Sequence, residues 1–178
     1  NNNINNGFLT YISVMATENN TNIVFDDFPT GINIINHTGA TPINANLNEG
    51  ESYMIGVGTN YGGTPNDLIG TLISSDKPIV VNSGSGTGSF ADGSGGRDFG
   101  IDQIVGFSKV GNEYIFVRGN GGGDGSNITP NDGDKWENII IIAHQDNTDV
   151  FVNDGTASEA TLNAGEWVVI EGDGINNN

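Results

Sequence analysis

The sequence predicts an all-β fold, an antiparallel β-sandwich-like domain, on three observations. Its apolar runs are short, β-branched or aromatic, and each is bounded by Gly, Asn, Asp or Pro. The chain holds 28 glycines and only 15% charged residues, a composition of turns and strands rather than of long helices. No window carries an apolar period near 3.6 residues. At 178 residues, one compact domain can bury roughly 70% of its unfolded surface and needs no metal or disulfide staple.

Taken in order, strands are expected at Phe8–Glu18, Thr21–Asp26, Glu51–Val57, Leu68–Ser74, Pro78–Asn82, Glu113–Arg118, Asn138–Gln145, Asp149–Asn153 and Glu166–Glu171. Ile101–Gly106 offers one helical turn at most. The run Ile139–Ile142 lacks polar alternation, which predicts a central strand with both faces covered. Tyr53, Tyr114 and Trp167 sit in apolar strands and read as core, whereas Trp136 and Tyr61 lie in polar stretches. Asn-rich residues 1–7 and 172–178 read as linkers around one module at 8–171. Between strands, Ser83–Gly96 and Gly119–Asp134 read as long Gly/Asp/Ser/Asn-rich loops, a kind that commonly carries function.

The chain also repeats itself. Ala16–Phe25 matches Ala143–Val152 residue by residue, and Leu47-Asn48-Glu49-Gly50-Glu51 matches Leu162-Asn163-Ala164-Gly165-Glu166 in the same order. This predicts a duplicated β unit, 16–55 and 143–170, with the second copy truncated or continuing further. Repeated units of this kind stack as a sandwich or as propeller-like blades, and the length favours the sandwich. Asn19-Asn20 and Asp146-Asn147 sit between strand runs, and Asn and Asp tolerate left-handed backbone, so a two-residue type I′ hairpin is expected at each. That register sets Ala16 opposite Ile23, Val14 opposite Phe25, Ala143 opposite Val150, and His144 opposite Asp149.

Charge narrows the functions. Twenty-two acidic residues against five basic ones give a formal net charge of -17. Such a surface repels phosphate backbones and anionic lipid, which argues against nucleic-acid and membrane partners and favours cations. There is no cysteine, hence no disulfide framework and no thiolate metal site. No apolar run approaches the ~20 residues of a membrane-spanning helix, and no signal peptide precedes the chain, which reads as a mature chain or a fragment.

The candidate sites are few. Asp124, Asp132, Asp134 and Glu137 put oxygen donors on tightly turning, Gly-rich backbone, the chemistry calcium uses, although their spacing is neither an EF-hand nor a calcium nonapeptide. Trp136 and Tyr61 are the aromatic candidates for stacking on a ligand. Arg97, Asp102 and Arg118 are expected to form structural ion pairs, since each Arg in so acidic a chain finds carboxylates. His37 and His144 come from unrelated segments and read as ordinary surface histidines. No nucleophile motif is present, and Glu113, Glu166 and Glu171 border turns rather than an apolar cleft, so no catalytic residue is assigned and no enzyme is expected. Asn19, Asn36 and Asn127 begin N-glycosylation triplets, a weak signal, and Asn19 is also explained by its turn.

The blocks ATENNTNIVF, LNEGESYMIGV, LIGTLISSDKPIVVNSGS, RDFGIDQIV and VGNEYIFVRG together resemble the IgG-Fc-binding protein N-terminal domain family over roughly residues 8–171. Such domains occur in mucus-associated animal proteins and in large secreted surface proteins of Bacteroidetes, often beside gliding-motility and type IX secretion domains. The Asn-rich, cysteine-free chain fits the bacterial branch. The resemblance implies a non-catalytic, extracellular β module for adhesion, structural display, or protein and glycan contact within a larger fibre or adhesin. Its partners would be other domains or copies of that larger protein. It carries no implication of immunoglobulin binding by this chain. The alternative reading is a calcium-dependent carbohydrate-binding module. No other cofactor is expected.

Overall fold

Apolar residues alternate with polar ones along most segments, and pairing turns that alternation into strands with one buried face. The computed structural model describes residues 9–38, 42–58, 68–88, 98–116 and 139–170. The expected linkers at 1–7 and 172–178 lie outside them. The chain divides into two compact units, the first holding residues 1–88 and 97–108 and the second residues 89–96 and 109–178.

The first unit contains β1 (Leu9–Ala16), β2 (Thr21–Asp26), β3 (Ile43–Leu47), β4 (Ser52–Gly58), β5 (Leu72–Ser75), β6 (Ile79–Gly88) and β7 (Asp98–Ile104). They form two antiparallel sheets, ordered β4-β1-β6-β7 and β3-β2-β5. The core lies between them. Ile12, Val14 and Ala16 of β1, Ile23 and Phe25 of β2, Ile43 and Leu47 of β3, and Ile55 and Val57 of β4 are buried in one cluster, with Tyr53, Ile73, Ile79 and Val81 packed against it. Each such side chain contributes about 1.5–3 kcal/mol when fully removed from water.

The sheet order shows how the chain builds this sandwich. β1 and β2 lie in different sheets, as do β3 and β4, and β5 and β6. Each short link is therefore an arch between the layers. The three arches stack in the order β3/β4, β1/β2, β5/β6. This corrects the expected hairpin. A type I′ turn needs left-handed backbone at both central residues, but only Asn20 (φ 55°) adopts it in the first copy and only Asn147 (φ 57°) in the second. One left-handed residue swings the chain into the other layer. Ala16, Val14, Ile23 and Phe25 consequently belong to one inter-sheet core, not to opposed positions of a hairpin.

The second unit repeats the plan with β8 (Ile139–Ile142), β9 (Thr148–Val150), β10 (Ala160–Leu162) and β11 (Trp167–Ile170). β8 pairs with β11 and β9 with β10, as β1 pairs with β4 and β2 with β3. The duplicated unit is thus two arches in each copy. His144 follows β8 while Asp149 lies in β9 of the other sheet, so the cross-strand pair expected between them does not form.

Four further expectations change. Asp98–Ile104 is a strand, not a helical turn, because pairing with β6 overrides a weak local pattern. Ser83–Gly88 belongs to β6 rather than to a loop. Residues 113–116 form no strand, and Tyr114 is 60% exposed rather than core. Ile139–Ile142 keeps one face open: burial alternates, Ile142 is 52% exposed, and Trp167, its cross-strand partner, is exposed as well. Tyr53 is core as expected, its ring 5.9 Å from that of Phe25.

Candidate protein-contact surface

The outer face of the four-stranded sheet is built around one tyrosine. Along β1 the residues alternate, so Tyr11 points away from the inter-sheet core that Ile12 and Val14 enter. Its cross-strand neighbours are Gly56 on β4 and Gly84 on β6. With no side chains there, the ring lies down on the sheet and is itself buried. A Cβ at Gly84 would stand 2.6 Å from the Tyr11 hydroxyl oxygen and would collide with the Gly100 carbonyl oxygen. On the other side, a Cβ at Gly56 would stand 3.0 Å from Leu9 Cδ1 and 3.9 Å from Ile35 Cδ1.

β7 extends this surface. It pairs with β6 and has no second neighbour among the described residues. Phe99 stacks on Tyr11, the ring centroids 6.3 Å apart and the planes at 28°. Ile101 sits opposite Gly84, and Phe99 and Ile101 are 64% and 56% exposed. Ile104, opposite the core-packed Val81 and so on the other face of the sheet, and Val105 after it are exposed too. Natural edge strands are often guarded by charge or kept short; beside the exposed Asp102 this one also presents Phe99 and Ile101, large apolar groups on an edge with no second strand among the described residues. It is suited to contact with another protein surface.

Of the residues expected to act, most lie outside the described part of the chain: Asp124, Asp132, Asp134, Glu137, Trp136, Tyr61, Arg97, Arg118, Glu171 and Asn127. Asp102 is exposed on β7, and its Oδ1 accepts the Gln103 backbone N–H at 2.8 Å. His37 is half-buried with its Nε2 enclosed, and His144 is exposed. Glu166 holds a turn: its Oε2 accepts the Asn163 backbone N–H at 2.7 Å, as Glu51 does for Asn48. Among the described residues no cluster of three His, Asp or Glu side chains is arranged to hold a metal.

The sequence reading missed Phe99 and Ile101. Their signal was present as alternation in Asp98-Phe99-Gly100-Ile101, with Gly56 and Gly84 marking a place where a ring crosses the sheet. Among the described residues one carboxylate is shifted. Asp76 is held below the usual range, first by the side-chain hydrogen bond from Asn22 and then by the Asn22 backbone N–H, with Lys77 adding a smaller attraction.

Fold and surface together define an all-β, sandwich-like module with an apolar edge. The chain belongs to the IgGFc binding protein family, whose model matches residues 1–176. No curated protein and no solved structure matches the chain. Among the described residues no helix is long and apolar enough to cross a membrane.

Proposed function

We propose that this chain is a non-catalytic, extracellular protein-binding module, used for surface display or adhesion within a larger secreted fibre or adhesin. The observation that carries the reading is the row Phe99–Ile101 on the edge strand β7, seated on Tyr11. Family membership supports protein contact as its work. Apolar anchors of this type supply most of the binding energy of an interface, and the acidic remainder of the surface selects among partners. The lowered Asp76 carboxyl suits a structural role, since a catalytic acid needs the opposite shift.

The test uses immobilised immunoglobulin Fc as the first protein probe, because the family is named for it, with secreted mucus glycoproteins beside it. Wild type is compared with the double variant Phe99→Ser, Ile101→Ser, whose substitutions fall on exposed side chains. Binding that the variant loses, at an unchanged melting temperature, supports the reading. Binding that the variant retains removes β7 from it. Failure of every protein probe removes the function. The alternative, a calcium-dependent carbohydrate-binding module, rests on the segment carrying Asp124, Asp132, Asp134 and Glu137. A melting temperature raised by calcium and lowered by chelator would support it.

A further inference from the structure

We propose that the outer face of the four-stranded sheet binds an extended neutral polysaccharide, laid along a row of amide and hydroxyl groups that crosses the strands. Charge sets this face apart. The chain carries twenty-two acidic and five basic residues, yet β1, β4 and β6 contain no Asp, Glu, Lys, Arg or His. β7 holds two carboxylates, and neither leaves by this face. Asp102 lies opposite Ser83, which pairs with the core residue Ile12, and Asp98 shares its parity along the strand. The outer face is therefore uncharged across all four strands.

The register then lines up three polar side chains on it. Ser13 of β1 lies opposite Asn82 of β6, and Asn82 opposite Gln103 of β7. Ser13 shares the parity of Tyr11, so all three leave the sheet on the outer side. Adjacent strands stand about 4.8 Å apart, a step close to the length of one pyranose in an extended chain. Gln103 is exposed and Ser13 and Asn82 are half-buried. Among the described residues none of the three side chains has a hydrogen-bond partner within the protein. Both flanks of the row are apolar: Tyr11 with Ile101 and Phe99 on one side, Met15 opposite Val80 on the other. Met54, opposite Ser13, ends the row on β4. Met54, Phe99 and Ile101 are each more than half exposed, so the face is open to solvent.

This pattern matches the chemistry of a sugar chain. A primary amide both donates and accepts, as a sugar hydroxyl does, and the apolar flanks suit the C–H faces of the rings. Gly56 and Gly84 carry no side chain, so no wall interrupts a polymer running across the strands. Electrostatics selects among polysaccharides. A uronate or sulfate chain would approach a molecule of net charge -17 against its field, whereas a neutral chain meets no such barrier and finds no charge on the face to desolvate. The determinants are amides, so this site is distinct from the protein contact carried by the rings and branched chains of Phe99 and Ile101, and it needs no calcium.

The experiment measures binding of the whole chain to insoluble cellulose by depletion and to soluble galactomannan by calorimetry, with alginate as the anionic control. At least one neutral polymer should bind and alginate should not. The affinity should be unmoved by chelator and by added salt, since no charge takes part. Gln103→Ala and Asn82→Ala should each weaken it roughly tenfold, as the loss of a hydrogen bond to a hydroxyl does. Gln103 is exposed, so its variant should melt with the wild type. Asp102→Asn, next to Gln103 but on the opposite face, should leave the affinity unchanged. No binding to either neutral polymer, equal binding to alginate, or an affinity unaltered by Gln103→Ala would each overturn the proposal. Immunoglobulin Fc binding that Gln103→Ala abolishes, without any polysaccharide binding, would give the face to a protein instead.

Discussion

Residues 16–51 and 143–166 make the same double bend, and the agreement extends to single atoms. In the first copy Ala16 N–H donates to the Glu51 carbonyl at 3.0 Å and Gly50 N–H to the Ala16 carbonyl at 2.9 Å; the second copy has Ala143 to Glu166 at 2.9 Å and Gly165 to Ala143 at 2.8 Å. Asn19 Oδ1 accepts from Glu49 N–H at 3.2 Å, and Asp146 Oδ1 from Ala164 N–H at 3.0 Å. Thr21 and Thr148 each return a hydroxyl hydrogen to the carbonyl three residues back, at 2.7 and 2.8 Å. Gly50 and Gly165 share a φ near 80°, which a side chain would strain. Yet the buried clusters differ: eleven described residues in the first unit, and Ala143, Val150 and Leu162 in the second. The bends are specified locally, by Asn, Asp, Thr and Gly at fixed offsets. The core is specified by what the rest of the chain stacks on them. Part of the contrast lies in the connection between the second and third strands: residues 27–42 of the first unit deliver the buried Ile34, which bridges to Val57, and the shorter 151–159 delivers no residue to the second cluster.

The largest effect expected from this contrast comes from truncating matched core residues. Phe25→Ala should cost about 3–5 kcal/mol, because Phe25 is wholly enclosed. Val150→Ala in the smaller cluster should cost about 2 kcal/mol or less. Both tryptophans of the chain, at 136 and 167, fall within the second unit, so their fluorescence reports its unfolding while hydrogen exchange at β1 and β2 reports the first. The second unit should lose its signal at lower urea than the first. Coincident transitions would break the contrast.

Next in size is the glycine bed beneath Tyr11. Gly84→Ala must displace the ring or the β7 backbone and should cost about 1–3 kcal/mol, moving Phe99 with it. Gly100→Ala meets nothing within 4 Å of its new Cβ and should leave the melting temperature unchanged. Equal effects in the two variants would mean that the ring does not rest on Gly84.

The clamps give a smaller, symmetric effect. Asn48 Oδ1 accepts the Asn20 N–H and Asn163 Oδ1 the Asn147 N–H, both at 3.4 Å, so each contact is long and exposed. Asn48→Ala and Asn163→Ala should each cost about 1 kcal/mol, and the two costs should agree if the bends are locally specified. A clear inequality, read from the two unfolding transitions, would show that the surrounding core sets them instead.

What could be read from the sequence follows the same division. The strand at Thr21–Asp26 and the order of the two blocks were legible, because apolar alternation and repeated turn residues are local signals. The arch was misread as a hairpin because Asn19-Asn20 has hairpin chemistry, and only the φ of Asn19 distinguishes the two. β3, with Asn44, Ala45 and Asn46 at its centre, and β10, only three residues long, carry little strand propensity and exist through pairing with β2 and β9. The apolar edge at Phe99 and Ile101 was hidden for a related reason: a segment of four apolar residues in nine looks like a helical turn until a neighbour fixes its register. The calcium and aromatic candidates lie outside the described residues, so local composition remains their whole support.

The smallest expected effect tests the hydrogen bonds that hold the third arch of the first unit. Asp76 has a folded-state pKa below its unfolded value, caused chiefly by the Asn22 side-chain and backbone donors. A depressed carboxylate contributes stability above its unfolded pKa, about 4, and that contribution disappears as pH falls through the lower folded value. Asp76→Asn removes the titration while leaving one oxygen to accept from the Asn22 N–H. The melting temperature of the wild type should therefore exceed that of Asp76→Asn at neutral pH, with the gap constant down to about pH 5 and closing in more acidic buffer. Because hydrogen bonds outrank the Lys77 attraction, added salt should change the gap little. A gap that closes with salt as well as with acid would instead make Lys77 the main partner of Asp76.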